Sequence, residues 1–462
     1  MKLGAVILKG PQSWQILQQR NGAAELRLAG EWYPPEGETG PGNVYARVVR
    51  EDSGDCVIPW TKCASSAGNR WNVRLPGVPA GGLYRVETCL HMGDPAAMEW
   101  GVRGDMIHHL GVGELFVIAG QSNSAGYGKD PAYDPPEIGV HVLRNSGKWD
   151  LASHPLNEST GTVHEVNREG ANPGSSPWLS FAKTLKRELG VPVGLLQTAL
   201  GGSLLERWNP EEEGSLYRNM LGVIASQGGR ARGVLWYQGC NDAEEGKAET
   251  YLPRFAAMVR HLREDTGLPE LPFFTVQLDR YTREPVPGAD EAWSEVREAQ
   301  RLAARAIRGV WVVPSIDSVL SDAIHVASIS HLTLGARAAK LALAKLYGRR
   351  YVCMAPDLRC AAFCRDREIA LMFDNVASRL YDYNVDAKKL PFTVEDEAGA
   401  VPAAGAEFRG NVVVLRLGRE ARGECFVSCA AGQNPRGIVP VDYEGHLPIL
   451  PFYRVRVSRK ET

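Results

Sequence analysis

A serine that directly follows a buried strand is the residue of this chain best placed for covalent chemistry. The segment Gly120-Gln121-Ser122-Asn123 comes immediately after the apolar residues 115–119. In open α/β sheets, reacting groups gather where the strands end. A glycine two residues before the serine also permits a tight backbone path that a Cβ would obstruct. The pattern predicts that Ser122 is a nucleophile, provided that other segments supply a base and an oxyanion site.

Three further polar segments follow predicted strands and carry the groups that such a serine needs. They are Gly201-Gly202-Ser203, Gln238-Gly239-Cys240-Asn241-Asp242 and Asp322-Ala323-Ile324-His325. The carboxyl ends of parallel strands meet at one edge of the sheet. The three segments are therefore expected to converge on the serine.

The side chains of these segments have complementary roles in acyl transfer. His325 has a pKa suited to accept the proton of Ser122, and Asp322 stands three residues earlier, close enough to orient the imidazole. The tetrahedral intermediate needs hydrogen-bond donors, which the Ser122 N–H, a glycine N–H of Gly201-Gly202 and the Asn241 amide can supply. One such donor typically lowers the barrier by about 3–4 kcal/mol.

The elements that must position these loops change in type along the chain. Residues 1–108 and 351–462 show β patterning between Gly, Pro and Asp clusters, which indicates two small sandwich-like domains. Residues 109–350 alternate apolar strands with amphipathic helices, which indicates a parallel sheet covered on both faces. Helices are predicted near 177–189, from 216, around 251–262, and near 293–307 and 333–347. We expect an α/β fold: a flavodoxin-like, three-layer α/β/α domain with five strands, flanked by two all-β domains.

The four segments resemble the sequence blocks of the SGNH hydrolases, and more narrowly those of the sialate O-acetylesterase-like carbohydrate esterases. The resemblance extends to neighbouring motifs: Leu200-Gly201-Gly202-Ser203-Leu204-Leu205-Glu206-Arg207-Trp208, Leu235-Trp236-Tyr237-Gln238-Gly239 and Arg297-Glu298-Ala299-Gln300. It implies an SGNH-type catalytic domain that deacetylates O-acetylated sugars without a metal or other cofactor. Ser122 is then the nucleophile, His325 the base and Asp322 its partner. The implied oxyanion positions are Ser122, Gly202 and Asn241, with Gln238 beside them.

Some residues depart from the family pattern and leave alternatives open. Cys240 replaces a glutamate, and Val326 follows the histidine in place of a proline. His331 begins a His-Leu-Thr run that other branches place at their catalytic histidine. We favour His325, because of the two it alone has an aspartate three residues before it, and Asp317 is the alternative aspartate.

The residues after the Gly-Gly turn are candidates for substrate binding. Trp208 could stack on a sugar face or pack the loop, and Arg207 could contact sugar hydroxyls or a carboxylate. Sialic acid and xylo- or manno-oligosaccharides both stay open as substrates. Two other functions are weighed: a non-catalytic carbohydrate-binding protein, and a lipid esterase or thioesterase of the SGNH class.

Composition excludes several other functions. A net charge of −2 argues against nucleic-acid binding and against an electrostatic membrane contact. No apolar stretch approaches the roughly 20 residues of a membrane helix. Nine scattered cysteines and the absence of a signal-peptide pattern predict a cytoplasmic protein with reduced thiols. An extracellular location stays open if a leader was removed. The pairs Cys360/Cys364 and Cys425/Cys429 are interpreted as small buried hydrophobes of strands, without a metal. No oligomeric state follows from the sequence.

Overall fold

The N-terminal region of the computed structural model consists of two β-sheets over one core. The structure describes residues 2–66, 68–95, 97–170 and 173–459. The strands are β1 (Gly4–Lys9), β2 (Ile16–Gln18), β3 (Ala23–Tyr33), β4 (Gly42–Arg50), β5 (Cys56–Lys62), β6 (Ala64–Ser66), β7 (Arg70–Pro79), β8 (Gly81–Met92) and β9 (Val102–Gly120). One sheet has the order β1-β3-β7-β6, and in the other β4 pairs with β5 and β8, and β8 with β9. Apolar residues of both sheets share one core.

Strand β9 joins this region to the central sheet without a linker. Its first part pairs antiparallel with β8, and residues 114–120 pair in parallel with strands of the central sheet. The predicted domain boundary at residue 108 therefore falls inside a single strand. Because β9 belongs to both regions, the strand that presents Ser122 pairs with β8 in its first part and lies between β12 and β13 at residues 116–118.

The central region alternates strands and helices as predicted. The strands are β10 (Val140–Leu143), β11 (Trp149–Leu151), β12 (Val193–Gln197), β13 (Gly233–Tyr237), β14 (Phe273–Val276) and β15 (Val310–Val313). The sheet order is β11-β10-β12-β9-β13-β14-β15. The five predicted strands are parallel neighbours in the order β12-β9-β13-β14-β15. The short strands β10 and β11 add to the edge and were not predicted.

In the described part of the chain, six α-helices accompany this sheet: α1 (Ser122–Ala125), α2 (Pro177–Leu189), α3 (Ser215–Ser226), α4 (Tyr251–Thr266), α5 (Ala289–Ala306) and α6 (Ser328–Tyr347). Helices α2 to α6 lie where helices were predicted, although α5 and α6 begin before the predicted residues 293 and 333, and α1 was not predicted. Helix α2 packs against α6, whereas α4 packs against both α3 and α5. Ser176 caps α2 by accepting the Trp178 N–H, and Gly190 ends it with a left-handed φ of 69°. Among the described residues, no helix is long and apolar enough to cross a membrane.

The C-terminal region returns to β structure. Its strands are β16 (Asp357–Arg365), β17 (Glu368–Asp374), β18 (Leu380–Tyr381), β19 (Phe392–Asp396), β20 (Gly399–Val401), β21 (Ala403–Arg409), β22 (Val412–Leu417), β23 (Cys425–Cys429), β24 (Val441–Asp442) and β25 (Phe452–Ser458). Eight of them form one sheet, β20-β19-β23-β25-β16-β17-β22-β21, whose two halves share a core. Cys425 and Cys429 are buried there as interpreted, but Cys364 is exposed. The chain is an α/β protein with β-rich regions at both ends.

Candidate active site

Ser122 begins the short helix α1 at the carboxyl end of β9. The turn before it depends on Gly120, whose φ is 116° and where a Cβ would lie 2.3 Å from the carbonyl oxygen of Tyr237. No side chain fits this close approach of two strands, so the glycine is required. Ser122 itself is 8% exposed. Strands β12 and β13 flank β9 on either side, so the loops after them border the serine.

His325 and Asp322 form an ion-pair geometry within one loop. The His325 Nδ1 lies 2.7 Å from Asp322 Oδ2, and Asp322 Oδ1 accepts the backbone N–H groups of Ile324 and His325, both at 2.8 Å. Partial burial raises the pKa of Asp322, but these hydrogen bonds outweigh it and hold the pKa below its ordinary value. A carboxylate at Nδ1 fixes the proton there, which leaves Nε2 to act as the base.

Asn123 ties the histidine loop to the serine. Its Oδ1 accepts the N–H of Val326 at 2.9 Å, and its Nδ2 donates to the carbonyl of Ile324 at 3.2 Å. These two residues flank His325, and Asn123 is fully buried next to Ser122. Between the side chains of Ser122 and His325, both described, the structure has no hydrogen bond. Such contacts often tighten only in the complex with substrate.

The alternative base and the alternative aspartate are engaged elsewhere. His331 is 1% exposed on α6, and its Nδ1 lies 3.2 Å from Ser175 Oγ. Burial lowers the pKa of His331 to about 3, so it stays neutral at physiological pH. Asp317 accepts two hydrogen bonds from the Arg337 guanidinium, at 2.7 and 2.6 Å. The geometry favours His325 with Asp322.

The loop after β13 is anchored by Gln121. Its Nε2 donates to Asn241 Oδ1 at 2.9 Å, and its Oε1 accepts the Gly239 N–H at 3.0 Å. With its oxygen engaged, Asn241 keeps its amide N–H groups for another acceptor, and the residue is exposed. Gly202 lies in the loop after β12 with a φ of 66° and open space around it. The predicted donors of Ser122, Gly202 and Asn241 thus follow three neighbouring strands.

The prediction that Gln238 belongs to the oxyanion hole is wrong, because its side chain has a structural role. It is fully buried, and its Nε2 donates to Asp242 Oδ2 at 2.5 Å and to the carbonyl of Ser203 at 3.1 Å. These bonds hold the loops after β12 and β13 together. Because the amide N–H groups are committed to them, Gln238 is not free to stabilise an oxyanion.

The prediction that Trp208 binds substrate is also wrong, whereas Arg207 stays a candidate for substrate binding. The Trp208 ring is fully buried, donates from Nε1 to Ser203 Oγ at 3.0 Å and packs edge-to-face on Trp236. It packs the loop and cannot stack on a sugar. Arg207 is half-buried, and its guanidinium donates to Ser215 Oγ at 3.3 Å and to the carbonyl of Val166 at 3.4 Å.

Two residues that the sequence did not single out connect the parts of the site. The Tyr127 ring stacks on the His325 ring at 4.8 Å, and its hydroxyl donates to Glu169 Oε1 at 2.6 Å. The other oxygen of Glu169 accepts the Gly201 N–H at 3.0 Å and Asn157 Nδ2 at 2.8 Å. Burial raises the pKa of the Tyr127 hydroxyl, and the Glu169 carboxylate adds to the rise. The Glu169 carboxylate thus connects the Gly-Gly turn to Tyr127, and the Tyr127 ring in turn stacks on His325.

This bridge explains the first glycine of the turn. A Cβ at Gly201 would lie 2.8 Å from the Tyr127 hydroxyl oxygen and 3.0 Å from Glu169 Oε1. The close approach of these two side chains therefore needs glycine. Glu169 lies in the long segment between β11 and α2, which has no periodic pattern. The sequence signal that was available is the Gly126-Tyr127-Gly128 run shortly after the serine.

Comparison with known proteins shows that the chain is a carbohydrate esterase and identifies its family. Residues 112–344 match the family described as "Carbohydrate esterase, sialic acid-specific acetylesterase". The chain belongs to this family. It is 30% identical over 257 residues to a probable carbohydrate esterase from Arabidopsis thaliana, covering 51% of this chain and 90% of the relative.

A solved structure resembles nearly the whole chain. The crystal structure of a carbohydrate acetylesterase from Xanthomonas citri superposes with a TM-score of 0.66 at 23% identity. The match covers 96% of this chain and 97% of the other. The likeness of fold therefore extends beyond the family match into both β-rich regions.

Proposed function

We propose that this protein is a carbohydrate O-acetylesterase that acts through a serine acyl-enzyme. The observation that carries the proposal is the Asp322–His325 pair, which Asn123 ties to the serine loop. In this proposal the central region is an SGNH-hydrolase domain of three layers, and the two β-rich regions are accessory domains.

The proposed reaction has two steps. Ser122 Oγ attacks the acetyl carbonyl while His325 Nε2 takes its proton, and the oxyanion receives hydrogen bonds from the Ser122 and Gly202 N–H groups and the Asn241 amide. The C–O bond to the sugar then breaks, and the sugar oxygen leaves with the proton from His325. In the second step, water gives a proton to His325 and attacks the acetyl-enzyme. Acetate leaves, and the proton returns to Ser122.

The proposed substrates are O-acetylated sugars, with O-acetyl sialic acid and acetylated xylo- or manno-oligosaccharides as candidates. Arg207 is the residue that could distinguish them, since a guanidinium binds a sialate carboxylate bidentately. In that case Arg207→Ala lowers turnover of O-acetyl sialic acid far more than turnover of neutral acetylated xylo-oligosaccharides. Equal losses on both would remove Arg207 from the proposed site.

Acetate release from these sugars by the full chain tests the proposal. Wild type should release acetate, Ser122→Ala should release none above background, and the matched control Ser66→Ala on the exposed strand β6 should behave as wild type. A Ser122→Ala protein that folds and keeps full activity would overturn the serine mechanism. Wild type that prefers long acyl chains over acetyl would overturn the assignment as an acetylesterase.

A further inference from the structure

A second cavity lies at the end of the parallel sheet opposite the serine. It has a volume of about 750 Å³, and residues just before β13, β14 and β15 line it, among them Arg232, Pro272 and Gly309. The segment after β2 closes it from the N-terminal region. Because the serine loops follow these strands at their carboxyl ends, at least one strand length, roughly 15 Å, separates the cavity from the active site. We call it the basic groove.

The basic groove concentrates positive charge. Its lining includes six cationic side chains: Arg20, Arg230, Arg232, Arg263, Arg308 and Lys345. Among the described lining residues there is one acidic side chain, Glu270, which pairs with Arg308 at 3.0 Å. The chain as a whole has a net charge of −2. Such a concentration of like charge is unfavourable unless an anion offsets it.

The inner arginines are held in place by neutral groups. Arg232 donates to the carbonyl of Leu346 at 2.8 Å, and Arg263 donates to the carbonyls of Leu271 at 3.0 Å and Arg308 at 2.7 Å. Burial and the neighbouring Arg308 lower the pKa of Arg263, against the opposing effect of Glu270. Carbonyl oxygens fix the direction of a guanidinium without neutralising it.

The exposed cations at the rim of the groove are available to bind an anion. Arg20, Arg230 and Lys345 are exposed, and among the described residues none of their side chains forms an ion pair. The carboxylate of Glu114 lies next to the lining, but the Gln18 and Gln19 amides donate to it at 2.6 and 3.0 Å. The groove therefore combines arginines that carbonyl oxygens hold in place with exposed cations that have no carboxylate partner among the described residues.

We propose that the basic groove binds a ligand with several carboxylate or phosphate groups. A guanidinium fork matches both groups bidentately, and a concave positive cleft raises the local concentration of an anion. The volume is that of a small-ligand site, and the partly exposed Trp311 supplies an apolar wall. The site is separate from the proposed esterase chemistry and does not depend on it.

Calorimetric titration of the full chain tests this proposal, with tripolyphosphate, trigalacturonate and uncharged xylotriose as probes. At least one of the two anions should bind, and raising the NaCl concentration from about 0.05 to 0.3 M should weaken binding roughly tenfold by screening. Xylotriose should not bind at this site. Which anion binds identifies phosphate or carboxylate as the recognised group. Failure of both anions to bind at low salt overturns the proposal.

Matched variants place the binding in the groove. Arg20→Ala/Arg230→Ala should weaken binding at least tenfold and leave aryl acetate hydrolysis unchanged. The control Arg422→Ala/Arg436→Ala removes two exposed charges of the C-terminal region and should leave binding within about twofold. Equal weakening by both pairs would mean that net charge alone attracts the anion, and would overturn the proposed site.

Discussion

Removal of the Glu169 carboxylate should weaken catalysis because this group supports both sides of the active site. Glu169→Ala leaves three donors without their acceptor: the Tyr127 hydroxyl, the Gly201 N–H and the Asn157 amide. Each hydrogen bond to a charged acceptor contributes about 1.5–3 kcal/mol. Displacement of the Gly-Gly turn can also cost an oxyanion donor, worth about 3–4 kcal/mol.

These values bound the expected loss. Part of the lost hydrogen-bond energy lowers the stability of the fold and not the rate. We therefore expect the activation free energy for kcat/KM to rise by about 2–4 kcal/mol, which lowers kcat/KM about 30- to 1000-fold. Glu169→Gln can keep an oxygen toward Gly201, while the Tyr127 hydroxyl rotates to accept from the new amide. It exchanges charged for neutral hydrogen bonds and should lose only about 1 kcal/mol, roughly fivefold.

The assay is hydrolysis of p-nitrophenyl acetate with kcat and KM determined separately, together with the melting temperature of each variant. The loss should lie mainly in kcat, because this small substrate gains little from binding. Glu165→Ala, an exposed carboxylate of the same loop, is the control and should change kcat/KM less than about twofold. In the cycle with Tyr127→Phe, the two losses should be non-additive. A Glu169→Ala protein with full kcat/KM would refute the reasoning.

The remaining predictions concern residues whose roles the structure separates. His325→Asn should abolish aryl acetate hydrolysis, whereas His331→Asn should keep kcat of the folded protein within about threefold; the reverse pattern would make His331 the base. Asp322→Asn should lower kcat/KM by about 10²- to 10⁴-fold. The pKa of Asp322 lies below its ordinary 3.8, so protonation of this carboxylate should lower activity only below that pH. A loss of activity on acidification above pH 4 that disappears in Asp322→Asn would contradict this. Trp208→Ala should destabilise the fold by about 3–5 kcal/mol in chemical denaturation; unchanged stability with a raised KM would instead indicate substrate stacking.

Local patterns in the sequence were enough to predict the elements that present the site. The strand before Ser122, the cap at Ser176 and the Asp322–His325 spacing each depend on neighbouring residues. The roles of Trp208 and Gln238 could not be predicted, because they follow from packing between loops of different strands.

The contact between Glu169 and Tyr127 and the burial of His331 were not predicted, for different reasons. Glu169 meets Tyr127 across 42 residues of chain, and no periodicity marks its loop. The burial of His331 was within reach, because it shares a face of α6 with Leu334 and Ala338. The helix was predicted near 333–347 but begins at Ser328, so His331 fell outside the predicted helix.

Identification of the acylated residue tests the central claim most directly. The full chain is treated with a slowly hydrolysed acyl donor and its mass is measured intact and after proteolysis. We predict one acyl group per chain, on the peptide that contains Ser122, and none on Ser122→Ala. An adduct on another residue, or undiminished labelling of Ser122→Ala, would contradict the account.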